Sequence, residues 1–472
     1  MKSNSESARW RVKPSEQRYI LLLGDAIMAG LALLISLYLW GAGDQWLKQF
    51  SAEFLKARVQ AWFYFLPVVW ILLMVELYDA RRARRRRDTL IGISVAALIS
   101  SALYLVVFFI TDADLPRRGV AIFIVSVTLL TIVWRLTFIR VFTAPQFMRR
   151  MLIVGAGKSG MALLDILKDI SPQPFNLVGL IDDDPNKIGL KLNDYPVFGG
   201  SSCLLQVIDE EAITDLILAI TGEMNGTMFQ AILDAQERGI EITTMPIVYE
   251  DLMGRVPIFL LETDWIIRNF VEQARTSFFY EMGKRLVDLV GSVVGILIII
   301  PFLPFLIAII AIDSGFPIFF LQYRLGKSGK LYRIIKFRTM SKDAEKDGVV
   351  RITTENDSRI TRVGWFLRKT HLDEWPQFIN VLKGDMSLVG PRAERSELVH
   401  ELQQKIPFYR ARLLIKPGIT GWAQINFGYA ATVEDTAIKL EYDLYYIKHR
   451  NLITDTVILL RTVGSVVGFR GQ

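Results

Sequence analysis

The sequence predicts a multi-domain membrane protein. It reads as an N-terminal four-helix transmembrane bundle, a Rossmann-like α/β domain, and a re-entrant membrane helix leading into a mostly α-helical α/β domain. Three observations predict this. Four apolar stretches stand in the first third of the 472 residues. A glycine fingerprint then opens a run of alternating short strands and helices. A further apolar segment, interrupted by Pro301 and Pro304, precedes a C-terminal part rich in Lys and Arg.

Composition sets the bounds. Hydrophobic residues make up 51% and charged residues 22%, with mean hydropathy +0.32. These values exclude intrinsic disorder and point away from a purely soluble enzyme. The net charge is +7. The single cysteine, Cys203, excludes an internal disulfide framework and Cys-rich metal sites. The three histidines, His371, His400 and His449, are scattered and give no zinc signature. The first apolar run begins near Tyr19 and lacks a small-residue cleavage site after it, so no cleavable signal peptide is expected.

The apolar stretches run over Tyr19–Trp40, Trp62–Leu77, Leu90–Ile110 and Gly119–Phe142. Most approach the roughly 20 residues that cross the hydrocarbon core, and the second is short. Asp25, Pro67, Glu76 and Arg135 are costly against lipid, so they are expected to face the bundle or an interface. Arg9, Arg11, Lys13 and Arg18 precede the first stretch. Arg81, Arg82, Arg84, Arg85, Arg86 and Arg87 lie between the second and third, and Arg140, Arg149 and Arg150 follow the fourth. The positive-inside rule places all three groups in the cytoplasm. The arginine run beside a span suits anionic lipid, not nucleic acid.

From Met151 the pattern becomes α/β. Met151–Val154 reads as a strand entering Gly155-Ala156-Gly157-Lys158-Ser159-Gly160, followed by a helix over Met161–Ile170. A second strand, Asn176–Ile181, ends at Asp182, and Thr214–Ile220 and Ile240–Thr244 read as further strands. Gly155, Gly157, Gly160 and Asp182 form a dinucleotide-type fingerprint and are the candidate nucleotide-binding residues. The region is short for a complete two-half dinucleotide fold. A degenerate domain used for assembly or regulation is the competing reading.

Leu286–Ile312 is long enough to cross a membrane. Yet Lys284 and Arg285 flank one end, and Arg324, Lys327, Lys330, Arg333, Lys336 and Arg338 follow the other. Basic residues on both flanks favour two cytoplasmic ends. Pro301 removes a helix hydrogen bond. A helix that dips into one leaflet and returns satisfies both facts, and a kinked full span is the alternative.

The chemistry concentrates further on. The clusters are Lys336-Phe337-Arg338-Thr339-Met340, Arg359–Gln377 with Arg368 and the acids Asp373-Glu374, Lys383–Arg392, and Lys416–Trp422. Pro376 belongs in the first turn of a helix, which places the two acids at a helix start. Adjacent acids can divide labour, one as nucleophile and one holding Mg²⁺. Surrounding Arg and Lys would neutralise phosphate oxygens. Helix capping is the bland reading of such a pair. Tyr332 and Lys336 have a Y-x-x-x-K spacing, which reads as chance because it lies outside the α/β region.

Residues 284–472 resemble the bacterial sugar transferases, the polyprenyl-phosphate hexose-1-phosphate transferases. The resemblance rests on Lys284-Arg285-x-x-Asp288, Pro301, Gln322-x-Arg324-x-Gly326, Lys336–Met340, Leu372-Asp373-Glu374-x-Pro376-Gln377, Asn380–Ser387, Gly390-Pro391-Arg392 and Pro417–Gln424. Ile300 stands where some members have serine, and Ala393 where many have a second proline. The resemblance implies transfer of a hexose 1-phosphate from a UDP-sugar to undecaprenyl phosphate, with UMP released. It implies Asp373 as the nucleophile that forms a covalent phospho-sugar intermediate, and Glu374 as the acid associated with Mg²⁺. Lys336, Arg338, Arg368 and Arg392 match the basic active-site residues, and Pro301 matches the break in a re-entrant helix.

The expected organisation is therefore a four-span domain at 1–145, a Rossmann-like domain at 146–255, a linker at 256–283, the re-entrant helix at 284–313 and a catalytic domain at 314–472. The resemblance implies the bacterial inner membrane, both soluble domains cytoplasmic, and initiation of exopolysaccharide, capsule or O-antigen synthesis. Membrane lipids are expected partners and nucleic acid is not; a homodimer suits a chain with such an insert. Two alternatives compete: a membrane-bound NAD-dependent sugar-nucleotide dehydratase or epimerase, and a nonenzymatic assembly or regulatory protein. No residue distinguishes the sugar, with glucose or galactose suggested by the family alone.

Overall fold

The computed structural model describes residues 14–43, 50–78, 83, 85–110, 116–142, 148–261, 277–341, 357, 359–428 and 432–467. Arg9, Arg11, Lys13, Arg81, Arg82 and Arg84 lie outside the described residues, as does 262–276 of the expected linker. The chain forms two compact units, Met1–Thr244 and Met245–Gln472.

In the first unit, Tyr19–Ala42, Arg86–Phe109 and Arg117–Phe142 are helices long and apolar enough to cross a membrane. The stretch expected at Trp62–Leu77 is not one helix. It consists of a 3₁₀ turn at Ala61–Phe65, a helix at Leu66–Leu73 and a second 3₁₀ turn at Val75–Tyr78. Pro67 lies in the first turn of the middle piece, where its missing N–H costs nothing. That eight-residue helix rises only about 12 Å.

Asp25 and Arg135 face inward as expected. Both are almost fully buried. Arg135 Nη2 donates to Asp25 Oδ2 at 2.7 Å and Nη1 to the Leu77 carbonyl at 3.0 Å. One ion pair therefore ties the first and last long helices to the segment between them. Trp70 Nε1 donates to Thr131 Oγ1 at 3.2 Å, a second polar tie inside the bundle.

The α/β part of this unit has six strands: β1 (Arg150–Val154), β2 (Asn176–Ile181), β3 (Lys191–Leu192), β4 (Tyr195–Gly199), β5 (Asp215–Leu218) and β6 (Glu241–Thr244). Their order is β3-β4-β2-β1-β5-β6, with β3 antiparallel and the others parallel. Buried Leu152, Val154, Ile181 and Leu216 fill its core, as a sheet covered on both faces requires. The helix after β1 runs over Lys158–Asp169, starting within the fingerprint and earlier than expected. Arg149 pairs with Asp215 and Glu241, and Arg150 with Glu211. These two arginines serve the sheet as ion pairs.

The second unit opens with a helix at Met245–Met253. An apolar arm follows: a helix at Phe278–Ile299, a 3₁₀ turn at Ile300–Phe302 containing Pro301, and a helix at Leu303–Ser314. An antiparallel hairpin of β7 (Phe319–Leu325) and β8 (Leu331–Phe337) comes next. Helices at Arg362–Lys369 and Gln377–Lys383 bracket a 3₁₀ turn at Leu372–Glu374. A short parallel pair, β9 (Ser387–Val389) and β10 (Gly418–Thr420), lies beyond. Helices at Ser396–Lys405, Val433–His449 and Leu452–Val467 complete the unit. Its core gathers Val381, Met386, Val389, Leu440, Leu444 and Ile458. A second cluster joins Ile299, Leu306 and Ile310 of the arm to Phe337 and Leu367.

Candidate active site

Asp373 and Glu374 do not occupy the first turn of a helix. The helix begins at Gln377, with Pro376 as its cap residue, and the acids sit on the 3₁₀ turn ahead of it. His371 enters that turn in the left-handed region at φ 55°, a conformation costly for a residue with a Cβ. The turn carries both carboxyls inward, to 8% exposure for Asp373 and 7% for Glu374. The charge of Glu374 is met there by basic side chains.

Those side chains come from two directions. On β8, Lys336 Nζ donates to Glu374 Oε1 at 2.7 Å. From the loop after β9, Arg392 Nη2 donates to the same oxygen at 2.6 Å, and Nη1 to Oε2 at 3.4 Å. Arg368 Nε donates to Thr339 Oγ1 at 2.9 Å. Arg338 Nη1 is buried with no hydrogen-bond partner among the described residues. A buried guanidinium donor left unpaired suits an incoming anion, because the unmet bond is costly until something fills it.

The two acids are pushed apart. Burial raises the Asp373 carboxyl to about 6, the adjacent Glu374 charge adds to the rise, and Lys336, Arg368 and Arg392 offset part of it. Burial also opposes the Glu374 anion, but Arg392 and Lys336 outweigh it and hold that carboxyl well below the usual range. Burial likewise lowers His371, which favours its neutral form. No described residue donates a hydrogen bond to the Asp373 carboxylate, whereas Glu374 accepts from both Lys336 and Arg392.

Mg²⁺ is commonly held by one or two carboxylates together with substrate phosphates. No cluster of three metal-ligating side chains occurs among the described residues. The less engaged Oε2 of Glu374 fits the sparse donor set. Glu374 Oε1 does not, since two cations already occupy it.

The glycine clusters have a backbone role. A Cβ on Gly418 would lie 2.1 Å from the Gly390 amide nitrogen, and one on Gly390 would lie 2.4 Å from the Lys416 carbonyl. Two chain segments cross there in direct contact. Gly418 N–H donates to the Pro391 carbonyl at 2.9 Å and Gly390 N–H to Thr420 at 2.8 Å. The crossing fixes the loop that carries Arg392.

The region from 279 to 469 matches the bacterial sugar transferase family model, and residues 73–246 match a CoA-binding domain model. The exopolysaccharide production protein PSS of Rhizobium leguminosarum bv. phaseoli is 38% identical over 191 residues, 39% of this chain and 94% of that protein. The chain belongs to the bacterial sugar transferase family. Two longer relatives share the matching part. One is the UDP-N-acetylgalactosamine-undecaprenyl-phosphate N-acetylgalactosaminephosphotransferase of Aeromonas hydrophila, 41% identical over 220 residues, 47% of this chain and 51% of that one. The other is the UDP-glucose:undecaprenyl-phosphate glucose-1-phosphate transferase of Escherichia coli (strain K12), 44% identical over 182 residues, 38% of this chain and 39% of that one. The chain thus spans about half or less of the length of these two relatives.

In this bacterial sugar transferase, the structure brings Lys336, Arg392, Asp373 and Glu374 into one site. Arg338 and Arg368 follow β8 and precede the acid turn, and Arg368 contributes to the field on Asp373. Arg412 belongs to none of the sequence motifs. It is buried, donates to the Arg392 carbonyl at 3.1 Å and to Asp443 Oδ2 at 2.9 Å, and so supports Arg392 from behind. No motif marked it, because a buried guanidinium distant in sequence has no local signature.

The fingerprint residues also come together, around a different contact. Asp182 Oδ2 accepts the Ala156 N–H at 2.6 Å and faces Lys187 Nζ at 3.2 Å. The acid is thus engaged with the glycine loop itself. A Cβ on Gly160 would lie 2.1 Å from the Gly155 carbonyl, whereas Gly157 opens onto free space. Tyr332 has its hydroxyl buried on β8, outside the α/β part.

Proposed function

We propose that this protein transfers a hexose 1-phosphate from a UDP-sugar to undecaprenyl phosphate and releases UMP. The observation that carries the reading is the division between the two acids: Glu374 is pinned by Lys336 and Arg392, while the buried Asp373 beside it has no donor among the described residues. The named relatives act on UDP-linked N-acetylgalactosamine and glucose with the same lipid phosphate, which supports a hexose donor without choosing among sugars.

In this reading an Asp373 carboxylate oxygen attacks the phosphorus that bears the sugar. The bond to the bridging oxygen breaks, and UMP leaves with that oxygen and its electron pair. A phosphate oxygen of the lipid then attacks the same phosphorus. The carboxylate departs unchanged, and the product is undecaprenyl-diphosphate-sugar. Splitting one displacement between two anions into two steps lets a single buried carboxylate serve both. Arg338, Arg368 and Arg392 neutralise phosphate oxygens as charge moves. Glu374 would hold Mg²⁺ together with substrate phosphates, and the ion would supply further charge neutralisation.

The arm Phe278–Ser314 is the re-entrant element in this reading, with the catalytic part at the cytoplasmic face of the inner membrane. Its support is that both limbs of the arm contact one body. Gly291 and Gly295 abut Leu388 and Phe378, while Leu306 and Ile310 cluster with Phe337 and Leu367. A straight helix would carry residue 310 about 33 Å from residue 288. Initiation of an envelope or secreted polysaccharide is the corresponding pathway role.

The test is UMP release from a panel of UDP-sugars with undecaprenyl phosphate and Mg²⁺. Asp373→Asn abolishes release and Asp182→Asn retains it. Turnover by Asp373→Asn, or trapping of the phospho-sugar on another residue, rejects the reading.

A further inference from the structure

The limb Phe278–Ile299 turns a narrow face to the rest of its unit. Asp288, Ser292, Gly295 and Ile299 are buried, at helical spacings of three and four. Leu286, Val290, Val294, Leu297 and Ile298 are exposed around the remaining surface. On the buried side a Cβ at Gly291 would lie 2.5 Å from Leu388 Cδ1, and one at Gly295 2.5 Å from Phe378 Cε2. The small residues bring the limb into close contact with the body.

Three charged side chains lock that contact. Lys284 Nζ donates to the Val389 carbonyl at 3.1 Å, and to Tyr446 Oη and Asp455 Oδ2 at 3.0 Å each. Arg285 Nη1 and Nη2 donate to the Val381 and Leu382 carbonyls at 2.7 and 2.8 Å. Asp288 Oδ1 accepts the Ser387 hydroxyl and the Leu388 N–H, both at 2.9 Å. Basic residues beside a membrane segment ordinarily reach for lipid headgroups. Here all three Lys284 donors are directed into the protein, and Arg285 closes the carbonyl end of the helix Gln377–Lys383.

The gripped segments are those that carry the acid site. The helix Gln377–Lys383 follows Glu374 by two residues, and β9 leads directly to Arg392. We propose that Lys284, Arg285 and Asp288 form a clasp that fixes the membrane arm in register with the acid turn, and thereby sets the height of Asp373 at the bilayer. The three are positioning residues, and the inference rests on the two-step transfer proposed above. A UDP-sugar arrives from water and needs no particular height. A lipid phosphate is held at the depth of the headgroups, so only the second step depends on where the arm holds the carboxylate. The clasp therefore matters for the lipid step and spares the sugar step.

The experiment uses the full chain in nanodiscs and separates the two steps. UMP released before lipid is added measures capture of the sugar phosphate; product formed after undecaprenyl phosphate is added measures transfer. Asp288→Ala is expected to keep the initial UMP burst within twofold of wild type and to slow lipid transfer at least tenfold. Asp288→Asn, which retains an acceptor oxygen, restores transfer. Lys284→Gln provides a second variant with the same expected split. A physical readout accompanies the kinetics: nitroxides at Ile298→Cys and Glu401→Cys, in a Cys203→Ser background, report the arm-to-body distance. Wild type and Asp288→Asn give one narrow distance distribution, and Asp288→Ala a broad one. Equal loss of both steps overturns the positioning role, and an unchanged narrow distribution in Asp288→Ala overturns the clasp. Absence of any burst in wild type counts against the two-step reading instead, and the distance distribution then still decides the clasp.

Discussion

Arg392 grips Glu374 at 2.6 Å, while its own backbone carbonyl is held by Arg412 at 3.1 Å. The guanidinium is thus fixed at both ends of its residue. Beside it Lys336 takes the same carboxylate oxygen at 2.7 Å. A carboxylate between two cations stays ionised, and its charge in turn discourages ionisation of Asp373. The acids are therefore unlike because of the residues around them, not because one is Asp and the other Glu.

Arg392→Lys is expected to lower UMP release by about 10²-fold or more, within the range seen for loss of a donor aimed at developing charge. Lysine keeps the charge but loses the planar two-nitrogen fork that spans Glu374. Steady-state rates across UDP-sugar concentration check this. A change confined to KM would show that Arg392 contributes uniform binding, equal in the ground and transition states.

The rate of sugar-phosphate capture should rise with pH through about 6, the value to which burial raises Asp373. The carboxylate is the attacking form, so protonation removes activity on the acid side. Capture measured from pH 5 to pH 8 reads this limb directly. A flat profile across pH 6 speaks against Asp373 as the ionising nucleophile.

The same shift has a stability consequence. A carboxyl whose folded-state pKa is raised stabilises the fold fully below its unfolded value near 3.8, and that contribution is lost as pH rises through about 6. Asp373→Asn should thus stabilise the protein at pH 7.5 by roughly 1–3 kcal/mol. The gain should shrink as pH falls towards 4. Thermal unfolding of both forms at three pH values provides the comparison, and a gain independent of pH would contradict it.

Within the membrane bundle, Arg135→Met leaves Asp25 buried and unpaired. Loss of one partner from such a pair typically costs about 3–5 kcal/mol. The double variant Asp25→Leu/Arg135→Met should recover much of that loss, because it leaves no charge behind. Thermal aggregation in detergent ranks the three proteins. Equal stability of the single and double variants would show that the pair is not the source of the effect.

Gly418→Ala forces a Cβ to within 2.1 Å of a backbone nitrogen, while Gly157→Ala meets open space. The first change should displace the Arg392 loop and reduce activity strongly; the second should leave folding intact. Activity and melting temperature of the two variants measured together distinguish them.

The sequence by itself determined the local patterns. Hydrophobic length located the long apolar helices, the glycine spacing located β1 and its turn, and the acid pair with its basic neighbours marked the candidate site. These features are legible because each depends on neighbouring residues and on a fixed helical or strand period. Only the tertiary structure decided which cation meets which acid. Lys336 and Arg392 converge on Glu374 from positions 38 and 18 residues away, and Arg412 reaches Arg392 from 20. It also decided that Lys284 and Arg285 are spent on the protein, that Pro67 begins a short helix, and that the acids stand ahead of their helix. Charge alone has no direction along a chain. Its partner is chosen when packing brings distant backbones together, and burial then makes that choice energetically decisive.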